Sequence, residues 1–307
     1  MTAAPPYHEG ELLVQERTGQ EVQAKQNGGV ISDRIIPGAM PFIAQQQMVV
    51  LGSVDTDQNV WASVLFGRPG FISAADDRTV DFDLSQAGYD EHDPLWGNIA
   101  HDPRVGMLAI ELATRRRLRV NGTLRRADKE RLRLDVSEAY PNCPQYIQRR
   151  HIAQLSLGEP RKEADARSGE ILTPSQRTSI GEAHTFFVAS AHPERGVDAS
   201  HRGGNPGFVE VLNERTLRIP DYAGNAMFNT LGNFVANPRA GLLFIDFDRN
   251  QTLQLIGRPE VRFELDEPND RTGGTRRYWD FTVERWLERE LPHRVESELL
   301  DFSPFNP

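Results

Sequence analysis

One block of sequence occurs twice. Residues 95–106 read LWGNIAHDPRVG and residues 230–241 read TLGNFVANPRAG, so Gly97, Asn98, Pro103, Arg104 and Gly106 recur as Gly232, Asn233, Pro238, Arg239 and Gly241, an offset of 135 (232 − 97). Upstream, Ser63 and Pro69-Gly70-Phe71 recur as Ser200 and Pro206-Gly207-Phe208 at an offset of 137 (207 − 70). Fixed blocks separated by a two-residue length change indicate a loop difference within a common framework. The spacing is far longer than the ~20–50 residues of a solenoid repeat, which makes this two copies of one domain. Function is then to be sought where the copies differ.

The 307 residues accommodate two domains, and 38% hydrophobic with 8% aromatic content supports two modest cores. Thirty-five basic against 44 acidic side chains give a net charge of −9, opposite to the footprint of a nucleic-acid or anionic-membrane binder. The expected partner is a small-molecule substrate or electron donor, with no nucleic acid and no membrane; association into a homodimer stays open. Cys143 is the single cysteine, which rules out an intrachain disulfide or a cysteine-cluster metal site and favours a reducing compartment. The opening MTAAPPYHEGELLVQ lacks a basic region followed by an apolar core, and runs such as Met48 to Leu51 are too short to span a bilayer. The expectation is a cytoplasmic protein.

Residues 1–40 are polar and read as an arm packed on a domain built elsewhere. The first barrel is assigned to 41–127, a connector to 128–172 and the second barrel to 173–307. A short helix-like stretch at Pro41 leads into strands at Met48 to Leu51 and Val60 to Leu65, and the second copy repeats the hairpin at Phe186 to Ala189 and Val197 to Ser200. Thr173, Pro174 and Gln176 form a capping signature for the helix that enters the second copy. Hairpins follow at Gly106 to Gly122 and Gly241 to Gly257, and Tyr278 to Glu284 alternates with Trp279, Phe281 and Val283 on one face. Short strands punctuated by turns give a mainly β fold, a β-barrel with a few helices. Glu159 to Gly169 has the composition of a solvated linker, and the chain closes on the turn-rich SPFNP.

Aligned at 137, ASVLFGRPGF from Ala62 meets ASHRGGNPGF from Ala199, so Val64, Leu65 and Phe66 give way to His201, Arg202 and Gly203. Arginine offers a planar fork of donors to phosphate oxygens, histidine a ring donor, and paired glycines a close backbone approach. The competing reading of this stretch is a solvated polar turn. The second copy alone carries IPDYAGN at 219–225. Pro220 fixes an extended backbone, while Asp221, Tyr222 and Asn225 present polar groups and an aromatic face that suit the edge of a heterocycle. A helix is predicted to start at Gly224-Asn225, burying Met227, Phe228 and Leu231.

The segments DASHRGGNPGFV, LRIPDYAGN, FNTLGN, NPRAGLLFIDF and LQLIGRPEV together resemble the pyridoxamine 5′-phosphate oxidase-like family of FMN-binding split β-barrels. The resemblance is strong over about Thr173 to Val261 and diverged over about Pro41 to Leu124. It implies two tandem split barrels forming an intrachain pseudo-dimer, since family members with one barrel per chain build the cleft from two chains. It implies FMN held non-covalently between the barrels. Ser200, His201 and Arg202 fall on the phosphate-side segment, Ile219, Pro220 and Asp221 beside the isoalloxazine, and Asn225 and Gln254 on further polar contact positions. Because only the second copy keeps the cationic segment, a single FMN per chain is expected. The vitamin B6 oxidases' own strand motif, an arginine followed some residues later by a lysine, and their C-terminal substrate motif are not found, and pyridoxamine phosphate oxidation is not carried over.

The run Arg115-Arg116-Arg117 reads as a solvated hairpin turn in preference to a phosphate contact. The stretch Tyr140 to Ile147 resembles a segment that follows the barrel in relatives and covers the cleft; Cys143 within it reads as structural. No HExxH spacing occurs among the eight histidines, and adjacent Ser200 and His201 are poor geometry for a nucleophile and its base. The expectation is an FMN-dependent oxidoreductase with no metal. The alternatives are a non-catalytic flavin carrier or sensor, and a haem- or other tetrapyrrole-binding split barrel.

Overall fold

The computed structural model describes residues 5–156, 166–266 and 270–307. The arm carries helices α1 (Glu9–Thr18) and α2 (Glu21–Asn27), and α3 (Met40–Ala44) then enters the first barrel. That barrel contains β1 (Met48–Val54), β2 (Val60–Gly67), β3 (Ile72–Ala74), β4 (Thr79–Asp83), β5 (Ala87–Gly88), α4 (Pro94–His101), β6 (Arg104–Glu111), β7 (Arg116–Arg126) and β8 (Arg131–Pro141). Next come β9 (Arg149–Ser156) and β10 (Arg167–Gly169). The second barrel contains α5 (Pro174–Glu182), β11 (Thr185–His192), β12 (Gly196–Gly203), β13 (Glu210–Val211), β14 (Thr216–Pro220), α6 (Asn229–Ala236), β15 (Ala240–Asp246), β16 (Gln251–Arg262) and β17 (Tyr278–Glu290), and β18 (Arg294–Asp301) ends the chain.

The two large sheets run β3-β4-β8-β7-β6-β1-β2-β5 and β12-β11-β15-β16-β17-β14-β13, and their centres repeat strand for strand. Met48 pairs with Phe66 as Thr185 pairs with Gly203, and Glu111 with Arg116 as Asp246 with Gln251. Both copies kink at a β-bulge beside a glycine, Gly122 on β7 and Gly257 on β16. A Cβ at either would stand about 2 Å from a carbonyl oxygen of the next strand, of Asp135 or Thr282, so only glycine lets the sheet curl there.

The barrels pack face to face through one shared cluster. Val50, Ala62 and Leu108 from the first copy meet Phe187, Ala199 and Leu243 from the second, each pair at equivalent positions. The crossing is close because Gly106 lies on the backbone at Asp198 and Gly241 on the backbone at Val60 and Trp61. This is a pseudo-two-fold dimer within one chain. Separate cores fill the barrels: Phe71, Phe82, Leu95 and Leu134 in the first, Phe186, Leu217, Trp279 and Phe281 in the second.

Three sequence boundaries shift. The first barrel runs past residue 127, because β8 pairs along β7 and β4; the span read as a connector also supplies β9, which pairs with β18, and β10, which pairs with β17. A polar-apolar alternation broken by arginines hid β8. Of the expected linker, residues 159–165 lie outside the described residues, while Arg167–Gly169 is strand. Helix α6 begins at Asn229, not Gly224, since Ala226 and Phe228 both take positive φ and turn the chain first. Met227 consequently packs with Tyr7, Ala24 and Tyr140. The α5 cap forms as the sequence requires: the Gln176 amide donates to Thr173 Oγ1 at 3.2 Å and the Thr173 amide to Gln176 Oε1 at 3.0 Å.

The arm docks through a glycine contact, Gly10 on α1 against Gly232 on α6, where a Cβ on Gly10 would meet the Gly232 oxygen at 2.3 Å. His8 caps α1 by accepting from the Gly10 amide, and Glu11 accepts from the His8 amide. No helix among the described residues is long and apolar enough to cross a membrane.

Candidate functional site

A cleft opens between the barrels where β7 of the first faces β12 of the second. Alternation along β12 divides its side chains: Ala199 and His201 point to the barrel interface, and Asp198, Ser200 and Arg202 to the other face. His201 lies 5.7 Å from the Phe187 ring and is 3% exposed, and neither ring nitrogen has a partner. Burial, then the charges of Arg117 and Arg202, hold its pKa well below the ordinary histidine value, so the ring is neutral.

Arg117 and Arg119 project from one face of β7 into the same space. Arg117 donates from Nε to the Cys143 carbonyl at 2.9 Å and has no carboxylate partner among the described residues. Its pKa falls to about 9, through burial and then through Arg119 and Arg202. Arg119 is paired, donating to Asp198 at 2.6 Å beside the Tyr140 hydroxyl. Arg202 lies 3.6 Å from Asp221, which is itself held by Arg277 at 3.0 Å, and Arg202 Nε has no partner. Positive charge therefore exceeds negative charge in the cleft.

The far wall is aromatic. Tyr146 packs on Tyr222 with ring centroids 4.8 Å apart, and its hydroxyl donates to the Ala223 carbonyl at 2.8 Å. Asn225 Nδ2 reaches Asn142 Oδ1 at 3.3 Å, tying the 140–147 stretch to the IPDYAGN loop. Gly203 is required here, because a Cβ on it would lie 2.0 Å from the Tyr146 oxygen. The tail holds this stretch through Gln148, which accepts from the Ser303 amide at 2.5 Å and donates to the Tyr146 carbonyl at 3.3 Å, and it also meets the loop after β12, where Asn205 donates to the Pro307 carbonyl at 3.1 Å.

The structure thus brings together His201, Arg202, Pro220, Asp221 and Asn225, and it places three other predicted residues elsewhere. Ser200 is buried against α6, its hydroxyl 3.1 Å from Thr230 Oγ1. Ile219 is wholly buried in the second core. Gln254 lies on the other side of the pseudo-two-fold axis, donating to the Ala62 carbonyl at 2.9 Å and to Asp93 at 3.2 Å. Sequence reasoning misses Arg117 and Arg119, the first of them inside the run read as a solvated turn. Only Arg116 of that run fits the assignment, exposed and paired with Glu111 at 2.8 Å. The readable signal is the i, i+2 spacing of Arg117 and Arg119 on one strand.

At the position related by the pseudo-two-fold, Val64, Leu65, Thr252 and Gln254 replace His201, Arg202, Arg117 and Arg119. That region is filled by the chain itself. Arg289 pairs with Asp90 at 2.9 Å and donates to the His92 carbonyl at 2.6 Å, and the His293 ring lies so close on Gly88 that a Cβ would be 1.9 Å from it. One cleft is cationic and the other closed.

His8, Glu9 and His192 are a group of metal-type ligands elsewhere, on the arm and β11. Both histidines accept backbone N–H groups at Nδ1. Each proton therefore sits on Nε2, directed at Asn233 and Glu9, which leaves no lone pair for an ion.

Fold and cleft define a tandem split β-barrel with a cationic cleft between unequal halves. A family model described as Pyridoxamine 5′-phosphate oxidase matches twice, over residues 37–157 and 172–289, and the chain belongs to that family. Among solved structures, similarity is found to a putative pyridoxamine 5′-phosphate oxidase from Lactobacillus delbrueckii (13% identity, 38% of this chain and 94% of that one, TM-score 0.30). It is found also to an FAD-binding protein from Mesorhizobium loti (13% identity, 41% and 97%, TM-score 0.27) and to HupZ from group A Streptococcus (14% identity, 38% and 92%, TM-score 0.31). No match was found among curated proteins.

Proposed function

We propose that the chain binds one FMN in the cleft between its barrels and acts as an FMN-dependent oxidoreductase on a small molecule. The observation that carries the reading is a cluster of under-partnered donors: Arg117 with no carboxylate partner among the described residues, Arg202 with Asp221 only at 3.6 Å and no partner at Nε, and the neutral His201 ring buried with both nitrogens unpartnered. Donors placed this way in a partly dry cleft lower their energy by taking up an anion, and a phosphate matches the guanidinium fork. The residues fit a phosphorylated flavin further: Tyr222 and Pro220 offer a flat wall, and Asn225 and Asn142 polar groups beside it.

Bound there, the flavin supplies acceptance and donation of hydride or electrons. Arg117 and Arg202 hold the anionic end and fix its register. Asp221, itself held by Arg277, keeps the Arg202 guanidinium aimed into the cleft. The Tyr146 stretch, pinned by the tail, limits water at the mouth.

Purified protein is expected to show flavin absorbance, or to acquire it on titration with FMN at one equivalent per chain, and to bleach anaerobically with a nicotinamide donor. Refusal of FMN would sink the reading, and binding without turnover over a panel of donors and acceptors would favour a carrier. A Soret band in its place would favour the tetrapyrrole alternative, for which the neutral imidazole of His201 is the supporting observation.

A further inference from the structure

The copies differ at a second place, outside the cleft. In the first, α3 sets Phe42 beside the β6–β7 turn, with the Arg116 guanidinium 5.0 Å from its ring centroid and Arg116 paired to Glu111 at 2.8 Å. Backbone bonds fix the equivalent residues: the Gly70 amide donates to Ala44 and the Gly207 amide to Gly181, both at 2.7 Å and both pairs offset by 137 (207 − 70). Phe42 therefore corresponds to Ser179, and by strand register Glu111 and Arg116 correspond to Asp246 and Gln251. The aromatic side chain has become a hydroxymethyl group, and a cavity of about 280 Å³ lies there, lined by all three residues.

Its floor is apolar, formed by Ile180, Phe244 and Leu253, and its rim carries both signs of charge. Arg150 is 7% exposed and its Nε has no partner, while one of its Nη atoms donates to Ser297 and its guanidinium lies 4.8 Å from the Phe247 ring centroid. His184 beside it is neutral, its pKa lowered by burial and then by Arg150. Asp248 is exposed; Asp246 accepts from the Asp248 and Arg249 amides at 3.0 and 2.8 Å through Oδ1, while its Oδ2 meets the Arg249 guanidinium at 3.4 Å, a side chain that also donates to Ser179 at 3.1 Å.

We propose that this cavity is a second ligand site, for a zwitterionic aromatic molecule of the class of free aromatic amino acids. Its ring takes the place that Phe42 fills in the first copy, its carboxylate faces Arg150, and its ammonium group faces Asp246 and Asp248. The volume lies near the lower end of the ~300–1,000 Å³ usual for small-molecule sites, which selects a single-ring ligand. The site shares no lining residue with the cleft and does not depend on flavin binding.

The test is calorimetric titration of the full-length protein with L-phenylalanine, phenethylamine, 3-phenylpropionate and L-leucine. Saturable 1:1 binding of L-phenylalanine is expected, with each of the other three weaker by about tenfold or more. Ser179→Phe restores the first-copy residue and should abolish binding with no fall in melting temperature; Arg150→Met should weaken it about tenfold and carries the test if the first variant proves unstable. No saturable binding of L-phenylalanine, binding that survives in a folded Ser179→Phe protein, or equal affinity for all four probes overturns the proposal.

Discussion

Arg119 on β7 and Gln254 on β16 stand at equivalent positions, 135 residues apart (254 − 119), and each reaches across into the other barrel. Arg119 meets Asp198 at 2.6 Å and Gln254 meets the Ala62 carbonyl at 2.9 Å. Every cleft is thus assembled from a β12-type strand of one copy and a β7-type strand of the other. Duplication placed both partners in one chain and left them free to diverge, one pair towards charge and the other towards closure.

Arg202→Ala and Arg117→Ala should each weaken FMN binding by about 1.5–3 kcal/mol, the range for a charge-assisted contact to phosphate. Arg116→Ala should change it little, because that side chain is exposed and paired with Glu111. Fluorescence titration of the three variants checks this. Equal affinities across all three and the parent would remove the asymmetric cation site.

Gln254→Leu should behave in the opposite way, costing stability and sparing the flavin. The change strips a donor from the Ala62 carbonyl and from Asp93, whose carboxyl burial already pushes above the usual range. About 1–3 kcal/mol should be lost in denaturant unfolding. A large fall in FMN affinity at unchanged stability would place Gln254 in the site after all.

These contrasts bear on what the sequence could convey. The duplication, the β hairpins, the Thr173 cap and the His201-Arg202 substitution were legible because each is a local pattern or a difference between aligned copies. Ser200, Ile219 and Gln254 lie away from the lining of the cationic cleft for one reason: a linear motif gives the residue but not the barrel or strand face it serves. Ser200 and Arg202 share a face yet meet different neighbours, Thr230 for one and Asp221 for the other. Arg117 was masked by the two arginines before it, since a charge run at a hairpin tip reads as solvated until the strand is known to start at Arg116.

Glu11 should weaken arm docking as pH rises, against an opposite contribution from His8, whose pKa burial lowers to about 4 and which therefore favours docking as pH rises to about 6.5. Glu11 lies among Asn229, Asp198 and Glu138, with His8 on its own helix and Arg119 and Arg195 beyond, and its pKa is raised to about 7, mainly by burial. A carboxyl raised in the folded state is neutral in both states below its unfolded value of about 4.5, so its stability contribution is complete there. That contribution is lost between about 4.5 and about 7 and stays lost above. Limited proteolysis of the arm from pH 5 to 8 reads both contributions, and Glu11→Gln should make the arm more resistant than the parent towards pH 7–8 by removing the Glu11 loss and leaving the His8 contribution. An identical profile in both proteins would assign the effect elsewhere.

The glycines at the barrel crossing separate fold from site. A Cβ on Gly106 would stand 2.5 Å from Asp198 Cα, and one on Gly241 would stand 2.5 Å from the Val60 oxygen, so neither barrel can admit a methyl group without moving. Gly106→Ala and Gly241→Ala should therefore both lower the melting temperature, each by an overpacking cost of about 1–3 kcal/mol. Their effect on FMN should differ. Gly106 bears on the strand position that holds Arg119 through Asp198, directly behind the cationic cleft, whereas Gly241 bears on Val60 and Trp61 behind the closed one. Comparable melting losses with weakened flavin binding only in Gly106→Ala are the expected result; equal weakening in both would mean that the cleft depends on the barrel crossing as a whole and not on the Arg119 side of it.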